Sequence, residues 1–252
     1  MRQAMIFAAG LGTRLKPLTD TMPKALVPVN GQPLLWHVIM RLKEAGFERI
    51  VVNVHHFAQQ IIDYLQENNN FGIDIRISDE REKLLETGGG IKKALPLFDQ
   101  DSPILIHNVD ILSNIDLNDF YEKGKDHEAT LLVSERTTKR YLLFDEKMLL
   151  NGWTNIETGE VKSPYPGLQT DNFQHLAFSG IHMINPVMFP VFEEMPDRFG
   201  IMDFYLKWCA DHPIYGYCKK DLRLMDVGKL ETLHEAEHFL KEYATNITTK
   251  YK

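Results

Sequence analysis

Gly10-Leu11-Gly12-Thr13-Arg14, followed by Lys24, is the stretch of this 252-residue chain best suited to chemistry. Glycines let backbone N–H groups approach a ligand closely and point the same way. Arg14 adds a planar fork of donors that matches phosphate, and Lys24 adds a compact second charge. The loop leaves a short apolar run, Met5 to Ala9, that reads as a buried strand ending in Ala8-Ala9. A strand, a glycine loop and two cations make a site for a polyphosphate. A Walker A loop is absent, and the third glycine of a dinucleotide fingerprint is replaced by Leu15. The plainer reading is a strand with an ordinary glycine turn.

Other candidates follow along the chain. Asp110 comes just after a fully apolar strand that closes on Asn108. Ligands of open α/β sheets bind at the carboxyl ends of strands, so Asp110 is well placed to hold Mg²⁺. Asp226 again lies between a strand and a helix. Each aspartate also fits a helix cap. Glu86-Thr87-Gly88-Gly89-Gly90 precedes a helical pattern. Three glycines there would let the backbone lie flat against a nucleobase, or simply form a flexible lead-in. Ser179-Gly180 interrupts a strand-like run, which points either to close approach by a ligand or to a bulge. His55 and His56 are neighbours on a strand and face opposite ways, so they read as hydrogen-bonding residues and not as a metal pair. Trp36 and Trp208 read as core residues, and Trp153 as a possible platform for a sugar ring.

The elements that must position these residues alternate between strand and helix patterns, which predicts a mostly parallel sheet covered by helices. Pro33 is expected in the first turn of a helix that Gly46 caps. Strands are expected at 49–54, 73–77, 103–108 and 129–134, and a hairpin-like region at 136–172, with turns at Asn151-Gly152, Thr158-Gly159 and Pro164 to Gly167. Strand pattern returns at 174–184, 214–218 and 222–225. Helices are expected at 186–192, 202–211 and 231–243. The division is one domain over 1–243, with a nucleotide-binding half at 1–135, an acceptor-binding half at 136–243 and a tail at 244–252.

Composition narrows the class. Hydrophobic residues make up 44% and charged residues 25%, as in globular proteins. A net charge of −7 argues against a nucleic-acid or anionic-membrane partner. Cys209 and Cys218 have neither metal nor redox spacing. Neither a leader nor a membrane-length apolar run stands out, so the expected location is the cytoplasm.

The run Ala4-Met-Ile-Phe-Ala-Ala-Gly-Leu-Gly-Thr-Arg-Leu through Pro23-Lys24 resembles the signature of the sugar-phosphate nucleotidylyltransferases, with Phe7 in place of the usual leucine. The resemblance covers about residues 3–240. It implies a Rossmann-like, doubly wound α/β fold with a mixed, mostly parallel sheet and a small hairpin-rich acceptor region. It implies Arg14 and Lys24 as catalytic residues and Asp110 and Asp226 as Mg²⁺ ligands. It implies substrate contacts from Ala8, Ala9, Gly10, Gly12, Thr13, Glu86, Thr87, Gly88, Asn108, Ser179 and Gly180. Two departures stand out: Val109-Asp110 replaces the usual Gly-Asp, and Met225-Asp226-Val227-Gly228-Lys229 lacks the usual threonine after glycine. Leu85-Glu-Thr-Gly-Gly-Gly-Ile91 and Phe178-Ser-Gly-Ile181 resemble the N-acetylmuramate-1-phosphate uridylyltransferase subgroup, so UTP is the favoured nucleotide.

The implied reaction joins a nucleoside triphosphate to a sugar 1-phosphate and releases pyrophosphate. Its nucleophile is a phosphate oxygen, largely ionised at neutral pH because its second pKa is about 6. No serine, cysteine or histidine nucleophile is required. The obstacle is repulsion between anions, on the order of 4 kcal/mol for unit charges ~4 Å apart at an effective dielectric of 20. Guanylyl or thymidylyl transfer to mannose, heptose or glucose 1-phosphate remains open. So does a non-catalytic relative that binds nucleotide-sugars. The sequence does not define an oligomeric state.

Overall fold

The computed structural model describes residues 1–250, with side chains over 1–242. The first half runs β1 (Gln3–Phe7), the short β2 (Pro28–Val29) and β3 (Gln32–Pro33), α1 (Leu34–Glu44), β4 (Arg49–Val54), α2 (Ala58–Glu67), β5 (Asp74–Asp79), α3 (Glu86–Ala94), β6 (Ile104–Asn108), β7 (Ile111–Ser113), α4 (Leu117–Gly124) and β8 (Ala129–Ser134). The second half runs β9 (Arg140–Phe144), β10 (Leu150–Asn155), β11 (Glu160–Lys162), β12 (Gln174–Ile184), α5 (Phe189–Glu193), α6 (Ile201–Trp208), β13 (Ile214–Cys218), β14 (Leu224–Asp226) and α7 (Leu230–Lys250).

The main sheet is mixed, in the order β11-β10-β9-β12-β6-β1-β4-β5, with β8 also on β12 and β13 on β8. Strands β6, β1, β4 and β5 are parallel. From β12 to β11 the pairing is antiparallel. Successive side chains of β1 enter opposite cores: Ala4 and Ile6 join one, Met5 the other. β4 does the same with Ile50, Val52 and Val54 against Val51. That period of two wraps the sheet on both faces. Helices α1, α2, α4 and α7 fill one layer, and α3, α5 and α6 the other. The fold is Rossmann-like α/β.

Helix α1 buries Leu34, Leu35, Val38, Ile39 and Leu42 on one face. Beyond its last turn Gly46 adopts φ +79° and Phe47 N–H donates to Leu42 O at 3.0 Å. This is the expected glycine stop with a buried aromatic behind it. Pro33 stands one place earlier than expected, as the residue before the helix.

Several local readings change. Asn151-Gly152 is not a turn but lies inside β10, at a register shift against β9. A side chain on Gly152 would sit 2.9 Å from Lys162 O, so the glycine admits the neighbouring chain. Pro186–Met188 forms a separate tight turn before α5, and α6 ends at Trp208. The strand expected at 222–225 is β14, with Asp226 inside it as its last residue. The final helix extends beyond residue 243 to Lys250. Trp36 is only half-buried and lies outside both cores, whereas Trp208 packs on the second. Among the described residues no helix is long and apolar enough to cross a membrane.

Candidate active site

A cavity of about 480 Å³ opens where β1, β4 and β6 end. Its size suits a small ligand. One wall is the loop that follows β1. Ala8 and Ala9 are buried, Gly10 and Thr13 exposed. Gly12 has φ +64°, and its carbonyl accepts from Leu15 N–H and Thr19 Oγ1, both at 2.8 Å. A Cβ there would lie 2.9 Å from Thr19 Cγ2 and 3.0 Å from Lys24 Cβ. Only glycine fits both the backbone conformation and the space. The buried Leu15 then anchors the turn from below.

The Ala8 and Ala9 amides are already engaged. Both donate to Asn53 Oδ1, at 2.7 and 3.3 Å. These alanines therefore shape the wall through their other atoms, with their amides turned to Asn53.

The opposite floor holds the charges. Lys24 is 8% exposed and its ammonium donates to Asp110 Oδ2 as a close ion pair. Asp110 and Asp226 arrive on adjoining chain segments: Asp226 pairs with Ile111, and Val227 N–H donates to Asp110 O at 2.8 Å. Gly228 completes the corner. A Cβ on it would sit 2.7 Å from both the Arg14 guanidinium and Asp226 Oδ1. Arg14, Lys24, Asp110 and Gly228 line the cavity; Asp226 does not, and reaches it only through the contact of its carboxylate with Gly228. Asp110, in the turn between β6 and β7, and Asp226, at the end of β14, supply carboxylate oxygens of the kind Mg²⁺ takes, an ion that binds one or two carboxylates plus substrate phosphates.

The triple-glycine segment differs from expectation. Glu86 and Thr87 face the cavity, but Gly88, Gly89 and Gly90 lie inside α3 and are buried. Gly88 and Gly89 N–H both donate to Phe199 O, at 2.9 and 3.2 Å. A Cβ on Gly88 would meet the Phe199 ring at 2.2 Å, and one on Gly89 would meet Asp197 O at 2.2 Å. These glycines bring α3 against the chain leading into α6. Thr87 Oγ1 joins that contact by accepting from Ile201 N–H at 2.9 Å. Gly88 is thus a packing residue one layer behind the wall.

Asn108 lines the cavity, while Ser179 and Gly180 do not. Gly180 has φ +72° at a bulge of β12 against β8, and a Cβ there would come within 2.8 Å of Asn108 Nδ2. It backs Asn108. Ser179 Oγ is buried without a hydrogen-bond partner. Trp153 packs on the second core beneath Lys162.

Sequence reasoning missed Asn53 and Glu80, both buried and both on the cavity wall. Asn53 Nδ2 donates to Glu80 Oε1 at 2.7 Å, and Leu85 N–H donates to Glu80 Oε2 at 3.1 Å. A polar residue in the otherwise apolar run Ile50-Val-Val-Asn-Val54 was the available signal. His55 Nδ1 bonds to Glu80 O at 2.7 Å, the hydrogen-bonding role expected of it. His107, beneath Asn108, is wholly buried. Burial, with the nearby Arg41 charge, pushes its pKa down to about 3, so it stays neutral.

The chain belongs to the nucleotidyl transferase family, whose model matches residues 3–144. It is an enzyme of the sugar-phosphate nucleotidyltransferase class. It is 50% identical to the N-acetylmuramate alpha-1-phosphate uridylyltransferase of Caulobacter vibrioides, over 95% of this chain and 97% of that protein. It is 46% identical to the protein of that name from Neisseria meningitidis serogroup B, over 74% of this chain and 77% of the relative. Among solved structures, HddC from Yersinia pseudotuberculosis superposes with a TM-score of 0.76 at 24% identity, covering 95% of this chain and all of that one. That likeness supports the fold.

Proposed function

We propose that this chain transfers the uridylyl group of UTP to N-acetylmuramate 1-phosphate. The sugar phosphate oxygen attacks the α-phosphorus, the bond to the bridging oxygen of the β-phosphate breaks, and pyrophosphate leaves. The observation that carries the reading is the Lys24–Asp110 ion pair at the floor of a glycine-walled cavity. The choice of UTP and of this sugar is supported by end-to-end likeness to relatives bearing that name.

The residues have separable tasks. Gly10 to Thr13 amides and the Arg14 guanidinium would hold the leaving pyrophosphate. Lys24 would steady the α-phosphate and nucleophile as charge shifts between them. Asp110 and Asp226 would hold Mg²⁺, which when bound supplies charge neutralisation between the two phosphates. Glu86 and Thr87 would meet the base, and the acceptor sugar would lie toward residues 136–243. The product is a nucleotide-sugar for cytoplasmic cell-wall recycling.

The test is Mg²⁺-dependent pyrophosphate release from a grid of nucleoside triphosphates and sugar 1-phosphates. Release concentrated in the well with UTP and N-acetylmuramate 1-phosphate is the expected result. Release in another well would replace the substrates and keep the reaction. Nucleotide-sugar binding without release anywhere would overturn catalysis.

A further inference from the structure

A carboxylate with no exposed surface lies beside a loop built to bind anions. Glu80 follows β5, and its side chain is fully buried. Such a side chain is an acceptor and offers no donor to an incoming phosphate, so its hydrogen bonds must do something else. Its oxygens accept from both directions: Oε1 from Asn53 Nδ2, Oε2 from Leu85 N–H. Gly90 leaves the room, since a Cβ there would lie 2.9 Å from Glu80 Oε1.

Both Glu80 carboxyl oxygens accept hydrogen bonds, and Asn53 turns its amide NH₂ toward Glu80. Its carbonyl oxygen is then the atom left facing Ala8 and Ala9, whose N–H groups it receives. The bonds converge on Glu80 from both ends, from Ala8 and Ala9 through Asn53 on one side and from Leu85 on the other. This chain of bonds starts at the root of the glycine loop and finishes at Leu85, directly before Glu86 and Thr87.

We propose that Glu80 and Asn53 are positioning residues that clasp the phosphate-side wall of the cavity to its base-side wall. Neither residue needs to touch the reacting atoms. The clasp fixes where the glycine loop starts relative to Glu86 and Thr87, and so sets the span that a nucleotide must fit. This rests on the reading that the cavity takes a nucleoside triphosphate.

The direction of these bonds supplies the test. Glu80→Gln puts an NH₂ against a donor, either Asn53 or Leu85 N–H. Asn53→Asp sets a carboxylate against the Glu80 carboxylate. The double variant N53D/E80Q restores every bond: the new carboxylate accepts from Ala8 and from the new amide, whose oxygen accepts from Leu85 N–H. Full-length protein is compared by amide hydrogen exchange without ligand and by titration with UTP and MgCl₂. Each single variant should speed exchange at Ala8-Ala9 and at Leu85 together and weaken UTP about tenfold or more. The double variant should return to within about threefold of the native affinity. Exchange loosened only at the residue changed, or a double variant no better than the poorer single one, overturns the clasp. So does lowered thermal stability with UTP affinity intact, the mark of a merely structural role. If the native protein binds no UTP yet the two segments still loosen and recover together, the clasp stands and the nucleotide assignment alone fails.

Discussion

Gly10–Thr13 and Gly88–Gly90 are both glycine-rich, and one lines the cavity while the other lies directly behind its Glu86-Thr87 wall, yet they use glycine in opposite ways. Around Gly10 nothing lies within 4 Å of a would-be side chain. The first loop is open at Gly10, which lines the cavity. Around Gly88 and Gly89 a side chain would collide with Phe199 and with the Asp197 backbone at 2.2 Å. The second segment is closed, and its amides are spent on Phe199 O. Composition alone makes the two alike. Tertiary packing decides which glycines serve a ligand and which let two chain segments touch.

The largest effect should come from the buried cation on the cavity floor. Lys24→Ala should lower kcat by about 10²–10³-fold if, as proposed, its charge acts on the transition state. A change confined to the KM for nucleotide would assign Lys24 to uniform binding. Asp110→Asn, measured beside it, should remove the Mg²⁺ dependence of pyrophosphate release; an unchanged metal titration would sink the metal assignment.

Gly89→Ala tests the closed segment. Its Cβ meets backbone, which cannot swing aside, so a loss of about 1–3 kcal/mol or more in urea unfolding is expected, with little change in KM for protein that remains folded. Gly10→Ala is the counterpart and should leave the unfolding midpoint within ~0.5 kcal/mol, as for surface changes without steric conflict. It should raise the nucleotide KM severalfold by crowding the loop. If Gly10→Ala destabilised the fold and Gly89→Ala spared it, the comparison would be reversed.

Acid should act on the packed interior and spare the open loop. His107 and His182 are both fully buried, and burial pushes each pKa down to about 3. Unfolding exposes them to water at the ordinary value of about 6.5. Between those values the unfolded chain binds more protons, so stability rises with pH and is complete above about 6.5. At pH 5 each histidine should remove about 2 kcal/mol relative to neutral pH. His182 Nδ1 pairs with Tyr205 Oη at 2.6 Å, and His182→Asn should flatten its share of that slope. A urea midpoint equally high at pH 5 and 7.5 would remove the prediction.

What the sequence disclosed follows the same division. β1, the loop after it, Lys24 and Asp110 lie close in the chain or at strand ends, where periodicity and residue type locate them. The parallel sheet was legible because Met5-Ile-Phe, Ile50-Val-Val and Ile104-Leu-Ile are short buried runs separated by helix patterns. Gly88 was misplaced because a glycine run looks the same whether it faces a ligand or a ring from residue 199. Glu80 was invisible for a related reason. It sits among Asp79, Arg81 and Glu82, a solvent-like string, and only the fold takes it inside. Asn151-Gly152 had the composition of a turn, but the neighbouring strand places it within β10.

The two cations of the site differ in exposure, and that difference has a consequence for ionic strength. Arg14 stands in solvent at the cavity mouth, whereas Lys24 is shielded beside Asp110. At physiological salt the screening length is about 8 Å, and it acts on charges in water far more than on those inside protein. Added salt should therefore erode the capture of the triphosphate through Arg14 before it touches the step that depends on Lys24. The enzyme would fill more slowly in brine and, once filled, turn over at nearly the same pace.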